Sequence, residues 1–352
     1  MSQQAPIPPM NKALPGIAVP LPLITTSPPV RELESSLRRS LELRIQSIPD
    51  PHTASTGAKL AILFSGGLDC TILARLAHDL LPSDEPIDLL NVAFENPRVA
   101  ANSPKNDSPN SIYEDCPDRK TGRSSYEELC RVCPTRLWRL VCINIPYTET
   151  TQHRETIRRL MRPHNTEMDL SIACALYFAS RGIGEMTNSN SEGGAVPFTT
   201  TARVLLSGLG ADEVFAGYQR HALAFARQGF KGLVDEIDLD VGRLGKRNLG
   251  RDDRVISNWG REARYPYLDE EFLTRALQRP VWEKCGFGIP SGLADENPPL
   301  EPDIEPGKKA LRLVAWNLGL KKVAREKKRA IQFGSRTAKM ESGRSKGTQI
   351  LS

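Results

Sequence analysis

The chain has 352 residues, of which 39% are hydrophobic and 25% are charged, and this composition is typical of a soluble globular protein. Its formal net charge of +5 is small for this length, so the overall charge makes a nucleic-acid partner unlikely. No apolar run approaches the roughly 18 residues of a membrane-spanning helix, and the proline-rich start is unlike a secretory signal. Seven scattered cysteines favour a reducing compartment over a disulfide framework, so we expect a cytoplasmic protein without a membrane partner.

The hydrophobic pattern predicts an α/β protein. Repeated prolines predict a disordered lead-in over residues 1–29, because proline blocks both helix and sheet. Apolar residues then recur every three or four positions and predict one face of a helix, formed by Val30, Leu33, Leu37, Leu41, Ile45 and Ile48. The further elements predicted in chain order are a strand at 59–64, a helix at 71–81, strands at 87–94 and 139–147, a helix at 169–182 and a strand at 204–208. Strands that alternate with helices indicate a parallel sheet covered on both faces.

Composition divides the rest of the chain. We expect one large domain at 30–335 with loop insertions at about 97–112, 188–200 and 293–307, and a polar basic tail at 336–352. The basic run "KKVAREKKRAIQ" fits two interpretations. It is either a solvated helix face or a contribution to the site of an anionic ligand.

A glycine loop, "SGGLDC", joins the first predicted strand to its helix. Glycines at this place let the backbone approach phosphate oxygens, and the helix that follows directs its N–H groups and positive dipole end at the same point. Asp69 would repel a bare phosphate, so its presence suggests a bridging Mg²⁺. The alternative is an ordinary strand–helix turn with a capping aspartate. The spacing matches neither the common P-loop nor the dinucleotide fingerprint.

The loop resembles the SGGxDS loop of the ATP pyrophosphatases, which cleave ATP between the α- and β-phosphates. A second segment, "LLSGLGADEVFAGYQRH", is similar to the LSGEGxDExFxGY signature of the synthetase domain of asparagine synthetases. The segments "NLGRDDRVISNWGREARYPYLDEEFL" and "KKALRLVAWNLGL" also resemble that family, so the resemblance covers about residues 30–335. It implies an ATP-pyrophosphatase sheet with a more helical C-terminal half.

The resemblance also implies a reaction. The β-carboxylate of aspartate would be adenylated by ATP with Mg²⁺ and release of pyrophosphate, and ammonia would then form the amide. The first thirty residues could not form the glutaminase half that asparagine synthetases carry. We therefore expect the amide nitrogen to come from free ammonia or from a separate glutaminase.

Roles carry over to individual positions of this chain. Asp69 and Asp212 would coordinate Mg²⁺, and Lys308 would neutralise charge that develops on the phosphates. Asp212, Glu213 and Lys308 are the residues implied for catalysis. The residues implied for nucleotide binding are Leu63 and Val92 at the adenine, Ser65, Gly66, Gly67 and Asp69 at the pyrophosphate, and Ser207 and Gly208 beside the nucleotide.

Two positions depart from the family pattern. Leu209 stands where asparagine synthetases have a glutamate, and Asn248 aligns with an aspartate. Leucine can neither accept a proton nor pair with an ammonium group. These departures favour an alternative function, an ATP-binding module without synthetase turnover.

A cysteine cluster supports a weaker alternative. Cys130 and Cys133 have the spacing of metal ligands, with Cys116 and Cys142 nearby in the sequence, but a second C-x-x-C pair is missing. A sulfur-handling pair would suit an RNA-modifying sulfurtransferase, since tRNA-thiolation enzymes also use an SGG loop. The second signature opposes this alternative, because it is typical of the amide-forming branch.

Overall fold

A computed structural model of the chain describes residues 8–16, 20–49, 57–100, 111–188, 195–289, 304–338, 340 and 347–351. Within it the chain forms two compact units. The helical unit consists of Met1–Gln46, Gly208–Leu244 and Tyr265–Lys328. The sheet unit consists of Ser47–Ser207, Gly245–Arg264 and Arg329–Ser352. The single domain expected at 30–335 stays a prediction, and along that range the chain passes from one unit to the other several times.

The sheet unit contains a sheet of seven strands. They are β1 Leu60–Leu63, β2 Ile87–Phe94, β3 Trp138–Ile145, β4 Ile183–Asn188, β5 Val196–Thr199, β6 Val204–Leu206 and β7 Glu262–Arg264. Their order is β5-β4-β3-β2-β1-β6-β7. The pairs β3–β2, β2–β1, β1–β6 and β6–β7 are parallel. Strand β4 pairs with β3 and with β5 in antiparallel fashion. The predicted α/β fold with a mostly parallel sheet is confirmed.

Helices account for most of the other described elements. They are α1 Pro28–Ile45, α2 Leu68–Leu80, α3 Pro97–Ala100, α4 Ser111–Glu114, α5 Pro117–Val132, α6 Tyr147–Leu160, α7 Glu167–Arg181, α8 Ala211–Val214, α9 Gln219–Leu244, α10 Gly250–Ser257, α11 Glu270–Gln278, α12 Lys309–Asn317, α13 Lys321–Arg325 and α14 Ile331–Gly334. Helix α9 is interrupted at Gln228 and Gly229, which have non-helical dihedral angles. Among the described residues after 207, β7 is the only strand, as the expected helical C-terminal half requires.

The sheet is covered on both faces. Successive residues of a strand point to opposite faces, and β2 is buried along its whole length. Leu90, Val92 and Phe94 pack in a core with residues of α7 and α10. Helices α2 and α5 contact β1 and β2 respectively, and Asn91 on the other face of β2 bonds to α5. Strand β2 therefore reads as a mostly apolar run in the sequence because neither of its faces is exposed to water.

The helical unit is organised around α1. Five of the six residues predicted for its apolar face are buried within α1, namely Val30, Leu33, Leu37, Leu41 and Ile45. Within the same unit, α1 contacts α11 and α12. The predicted amphipathic helix is confirmed, although it begins two residues earlier, at Pro28, where a proline is tolerated in the first turn.

The segments expected to be irregular contain ordered contacts among the residues described. In the lead-in, Met10 and Leu23 are buried, and the Asn11 N–H donates to Leu277 O at 2.8 Å. Strand β5 lies inside the insertion expected at 188–200, and α3 lies at the start of the one expected at 97–112. In the expected polar tail, residues 347–351 bond to the main chain at 165–168. The stretches 101–110, 189–194 and 290–303 lie outside the described residues.

Candidate functional site

The glycine loop follows β1 in the sheet unit and adopts a backbone that requires glycine. Gly66 has a φ of +77°, in the left-handed region. A Cβ atom at Gly66 would lie 2.5 Å from the main-chain atoms of Thr121 and Gly122 in α5. Both the dihedral angle and this close approach exclude a side chain, so the first glycine of the pair is fixed by the geometry of the loop.

The loop passes directly into the N-terminus of α2. Gly67 is its N-cap, and the first helical hydrogen bond runs from the Thr71 N–H to Gly67 O at 3.2 Å. The Thr71 hydroxyl donates to the same carbonyl at 2.8 Å, and Ser65 Oγ accepts from the Gly67 N–H at 3.3 Å. Asp69 lies in the first turn. The main-chain amides at a helix start lack intrahelical acceptors, so this arrangement suits an anion.

Helix α5 supports the loop from one side, with residues that the sequence reasoning missed. The Ser125 hydroxyl donates to Gly66 O at 2.6 Å. Asn91 in β2 donates to Phe64 O and to Asp118 O, both at 2.9 Å. A Cβ atom at Gly122 would lie 2.5 Å from the Asn91 amide nitrogen. A polar residue inside an apolar strand and a glycine inside a helical pattern are the signals that could have identified Asn91 and Gly122.

Arg119 completes the support of the loop. Its side chain is fully buried, and its Nε donates to Asn91 Oδ1 at 2.7 Å. The guanidinium also donates to Asn144 Oδ1 in β3 and to Glu114 Oε1, each at 2.8 Å. A buried arginine is tolerated because each of these acceptors offsets part of its lost hydration. The network ties β2, β3 and α5 together beneath the glycine loop.

The expected adenine and nucleotide positions of the sheet unit lie on neighbouring strands. Leu63 is the last residue of β1. Val92 in β2 belongs to a hydrophobic core, and Leu63 packs against that core. The register pairs Ile62 with Leu206, so Ser207 follows β6 at the level of Leu63. The carboxyl ends of parallel strands lie at one edge of a sheet, where ligands of α/β proteins bind. The sheet unit thus brings together Leu63, Ser65, Gly66, Gly67, Asp69, Val92 and Ser207 along three adjacent strands.

A cluster of opposite charges lies in the helical unit. The ammonium of Lys308 is 2.6 Å from one carboxylate oxygen of Asp212, and that of Lys328 is 2.5 Å from the other. Asp212 belongs to α8, and Lys308 is the N-cap of α12. The Lys308 N–H donates to Phe215 O at 2.9 Å, which fixes α12 against the end of α8. A Cβ atom at Gly217 would overlap both Asp212 and Lys308, so this glycine leaves room for the pair.

The two lysines determine the charge of Asp212. Burial alone would raise the pKa of this carboxyl, but the ammonium groups of Lys308 and Lys328 outweigh it. Together they hold the pKa of Asp212 well below its usual range. The cluster therefore carries one carboxylate between two cations, with a net positive charge. The sequence predicted Lys308 but not Lys328. Lys328 is one of several consecutive cations in the basic run, and no motif spacing distinguishes it from its neighbours.

Glu213 is held by bonds within the second signature. One of its oxygens accepts from the Tyr218 hydroxyl at 2.6 Å, and the other accepts from the Gly210 N–H at 3.2 Å. Burial raises the pKa of Glu213, and the neighbouring Asp212 raises it further. The Lys328 ammonium lies 5.6 Å from the centre of the Tyr218 ring. These contacts give Glu213 a structural task in the loop, and its role in catalysis stays a prediction.

The remaining predicted positions fall as follows. Gly208 begins the second stretch of the helical unit, and half-buried Leu209 precedes Gly210, the N-cap of α8, whose φ is +102°. Asn248 lies in a π-helical turn, Gly245–Leu249, of the sheet unit. The helical unit thus brings together Gly208, Asp212, Glu213 and Lys308 from the predicted set.

The side-chain donors present limit where a metal ion could bind. Across the described ranges, no group of three or more histidine, cysteine or acidic side chains is placed to hold a metal. Both oxygens of Asp212 are engaged by ammonium groups, so in this arrangement Asp212 does not offer an open ligand. Magnesium bound with a nucleotide needs only one or two carboxylates, and Asp69 in the first turn of α2 fits that need. A Mg²⁺ ion held by both Asp69 and Asp212 stays a prediction.

The cysteines lie in the sheet unit except for Cys285. Cys116 donates to Gly334 O at 2.9 Å, and Cys133 caps the C-terminus of α5. Burial raises the pKa of Cys116 and of Cys133 to about 11, which opposes thiolate formation. None of the helices in the described part of the chain is long and apolar enough to cross a membrane.

Comparison with known proteins gives several relatives, while no family model matches the chain. Asparagine synthetase domain-containing protein 1 of Homo sapiens is 43% identical over 316 residues, which are 82% of this chain and 47% of the human protein. The protein of the same name in Bos taurus is 41% identical over 322 residues, 84% of this chain and 48% of the bovine protein. Putative asparagine synthetase (glutamine-hydrolyzing) 1 of Methanocaldococcus jannaschii is 33% identical over 188 residues, 49% of this chain and 32% of that protein.

The chain spans about half the length of the curated relatives it matches. Identity of about two residues in five over more than four fifths of the chain identifies it as a member of the asparagine synthetase domain-containing proteins.

Proposed function

We propose that this chain is an ATP-dependent, amide-forming ligase of the asparagine synthetase type. The β-carboxylate of aspartate attacks the α-phosphorus of ATP, and pyrophosphate leaves. Ammonia then attacks the adenylated carboxyl carbon, and AMP leaves as the amide forms. Membership of the asparagine synthetase domain-containing family supports the reaction class, and aspartate as the acceptor rests on the resemblance to asparagine synthetases.

One observation carries the proposal, which is the glycine loop at the start of α2. Its first glycine has a positive φ, and its second is the helix N-cap, so main-chain amides rather than side chains form the surface offered to a ligand. Such a loop suits the phosphates of a nucleotide. The sheet unit would hold ATP through Ser65, Gly66 and Gly67.

The cation cluster of the helical unit supports the first step, in which pyrophosphate leaves. Displacement of pyrophosphate develops negative charge on the leaving group, and a preorganised cation stabilises that charge. Lys308 is buried and Lys328 is partly exposed, and both are held at fixed positions by Asp212. We propose that the two lysines neutralise the leaving pyrophosphate. Magnesium, when bound with the nucleotide, would supply further charge neutralisation, with Asp69 as its protein ligand.

A pyrophosphate-release assay tests the proposed function. The full chain is incubated with ATP, Mg²⁺, aspartate and ammonia beside the Asp69→Ala variant and the matched control Asp79→Ala, which changes a partly exposed aspartate at the other end of the same helix. We expect aspartate-dependent release by the wild type and the control, and none by Asp69→Ala. Release by Asp69→Ala at the wild-type rate would contradict the proposal.

A second candidate is an ATP-binding module without turnover. Two observations favour it, namely Leu209 in place of a glutamate and the engagement of both Asp212 oxygens by lysines. Equilibrium dialysis with labelled ATP distinguishes the two candidates. Binding of ATP together with no pyrophosphate release, with aspartate or other carboxylates as acceptors, would favour the module.

A further inference from the structure

A cavity of about 270 Å³ lies within the helical unit, beside α1 and α11. Its wall includes Leu33 of α1, Phe215 at the end of α8, and Phe272 and Ala276 of α11. All four side chains are buried and apolar. The volume is slightly below the roughly 300–1,000 Å³ of pockets that hold drug-sized ligands, so the cavity suits a smaller molecule with an apolar body.

Lys284 belongs to the same wall and is 1% exposed. Its ammonium nitrogen has no hydrogen-bond partner among the residues that the structure describes. Burial lowers the pKa of Lys284 to about 8, so the amine is still mostly protonated at neutral pH. A buried ammonium without an acceptor has lost its hydration with no compensation. An anionic group in the cavity would supply the missing acceptor.

The other charged side chains around the cavity are already engaged in ion pairs. Arg279 forms ion pairs with Glu32 and, at 2.6 Å, with Glu283. Arg275 is paired with Glu271 at 2.7 Å. Among the described charged residues of this wall, Lys284 is therefore the cation available to an occupant. Its ammonium lacks a hydrogen-bond acceptor, and a single carboxylate would supply one.

We infer that the cavity is a binding site for a small monocarboxylate with an apolar body. Its carboxylate would accept hydrogen bonds from Lys284, whose flexible four-carbon stem lets the ammonium turn toward the occupant. Its apolar body would pack against Phe215 and Phe272 and be removed from water. A polyphosphate would bring more negative charge than the wall offsets.

Two main-chain hydrogen bonds connect this cavity to Lys308. Phe215 O accepts from the Lys308 N–H at 2.9 Å, and Lys284 O accepts from the Ala310 N–H at 3.2 Å. Both walls of the cavity are thus bonded to the first turn of α12. An occupant that moves either residue would change the position of the Lys308 ammonium relative to Asp212. This regulatory consequence rests on the proposed function, whereas the binding itself does not.

Benzoate and benzamide are suitable probes because they share a shape and differ in charge. Calorimetric titration and thermal unfolding of the full chain at neutral pH measure binding. We expect benzoate to bind in the millimolar range or more tightly and to raise Tm. Benzamide should bind roughly tenfold more weakly, because the charge-assisted hydrogen bond is lost.

Two variants locate the benzoate response. Lys284→Met keeps the length of the side chain and removes its charge, and Ala276→Met fills the cavity while Lys284 stays in place. We expect both to fold and both to lose the benzoate-dependent rise in Tm. Retention of the response by either variant, equal binding of benzamide, or no binding of millimolar benzoate to the wild type would overturn the proposal.

Discussion

The Lys328 ammonium lies 2.5 Å from Asp212, on the opposite carboxylate oxygen from Lys308. One carboxylate thus positions two cations in the helical unit. Lysine is flexible, and its free ammonium would sample many positions at an entropic cost on ordering. Because Asp212 holds both ammonium groups beforehand, the two lysines are ordered before a substrate arrives. This preorganisation is the property that stabilisation of a developing charge requires.

Lys328→Met should lower the rate of pyrophosphate release about ten- to a hundredfold, because one neutralising cation is lost. The KM for ATP should change less than kcat, since the proposed interaction strengthens as charge develops on the leaving group. The matched control is Lys327→Met, which removes an exposed charge next to it and should leave the rate within about twofold. Equal effects of the two substitutions on steady-state kinetics would exclude a specific role for Lys328.

Gly66→Ala should displace the glycine loop. The positive φ alone costs roughly 1–2 kcal/mol for an L-residue, and the new Cβ would approach the main chain of α5 to 2.5 Å. We expect ATP binding to be lost and the free energy of unfolding to fall.

Gly67→Ala provides the control, because its φ of −67° is open to alanine and the nearest contact is Ser65 Oγ at 3.3 Å. Its effect on the free energy of unfolding should be much smaller. Chemical denaturation measures both variants, and equal losses of stability would show that the dihedral angle and the close contact do not fix this position.

Asn91→Ala should destabilise the sheet unit by about 3 kcal/mol, because buried acceptors and the Arg119 Nε would lose their partner. Asn144→Ala removes a single bond to the same arginine and should cost about 1 kcal/mol. Urea unfolding compares the two asparagines in neighbouring strands. A larger loss for Asn144→Ala would contradict the supporting role of Asn91.

Much of the sheet could be predicted from the sequence, and the reason is burial. Strand β2 was predicted with its exact bounds because its eight residues are buried on both faces and read as one apolar run. Strands β4 and β5 were missed. They pair in antiparallel fashion at the edge of the sheet, where exposed positions such as Ile183 and Val196 interrupt the pattern.

Parts of the candidate site could likewise be predicted from the sequence, and other parts could not. The glycine loop could be predicted because its main-chain conformation requires particular residues at fixed spacing. Lys328 could not, because cations that follow one another in the sequence look alike until the fold brings one of them to Asp212. The buried Met10 and Leu23 were also missed, since the prolines around them indicate only that helix and sheet are unfavourable.

The pH dependence of stability should report Lys284. Its pKa is lowered to about 8 in the folded chain from an ordinary value of 10.5, so the unfolded chain binds more protons between these values. The contribution of Lys284 to stability should therefore rise with pH across this window, by about 3 kcal/mol, and its full penalty should be present below pH 8. Burial raises the pKa of the neighbouring Cys285 from 9.0 to about 12, so its contribution falls with pH in the same window, and the comparison with a Lys284 variant isolates the lysine.

Lys284→Met should abolish that rise and be more stable than the wild type at neutral pH. The carboxylates of Glu32 and Glu283 are paired with Arg279 in both proteins, so they should not differ between them. Lys231→Met, at an exposed position of α9, is the control. Denaturant unfolding at several pH values measures the slope, and an unchanged slope in Lys284→Met would contradict the assignment.

The most direct measurement of the proposed reaction follows the carboxylate oxygen of aspartate. The chain is supplied with ATP, Mg²⁺, ammonia and aspartate labelled with heavy oxygen at the β-carboxylate, and the products are analysed by mass spectrometry. Adenylation of the carboxylate predicts asparagine, unlabelled pyrophosphate and AMP that carries one heavy oxygen atom. Labelled phosphate with ADP, or AMP without label, would contradict the proposed ligase mechanism.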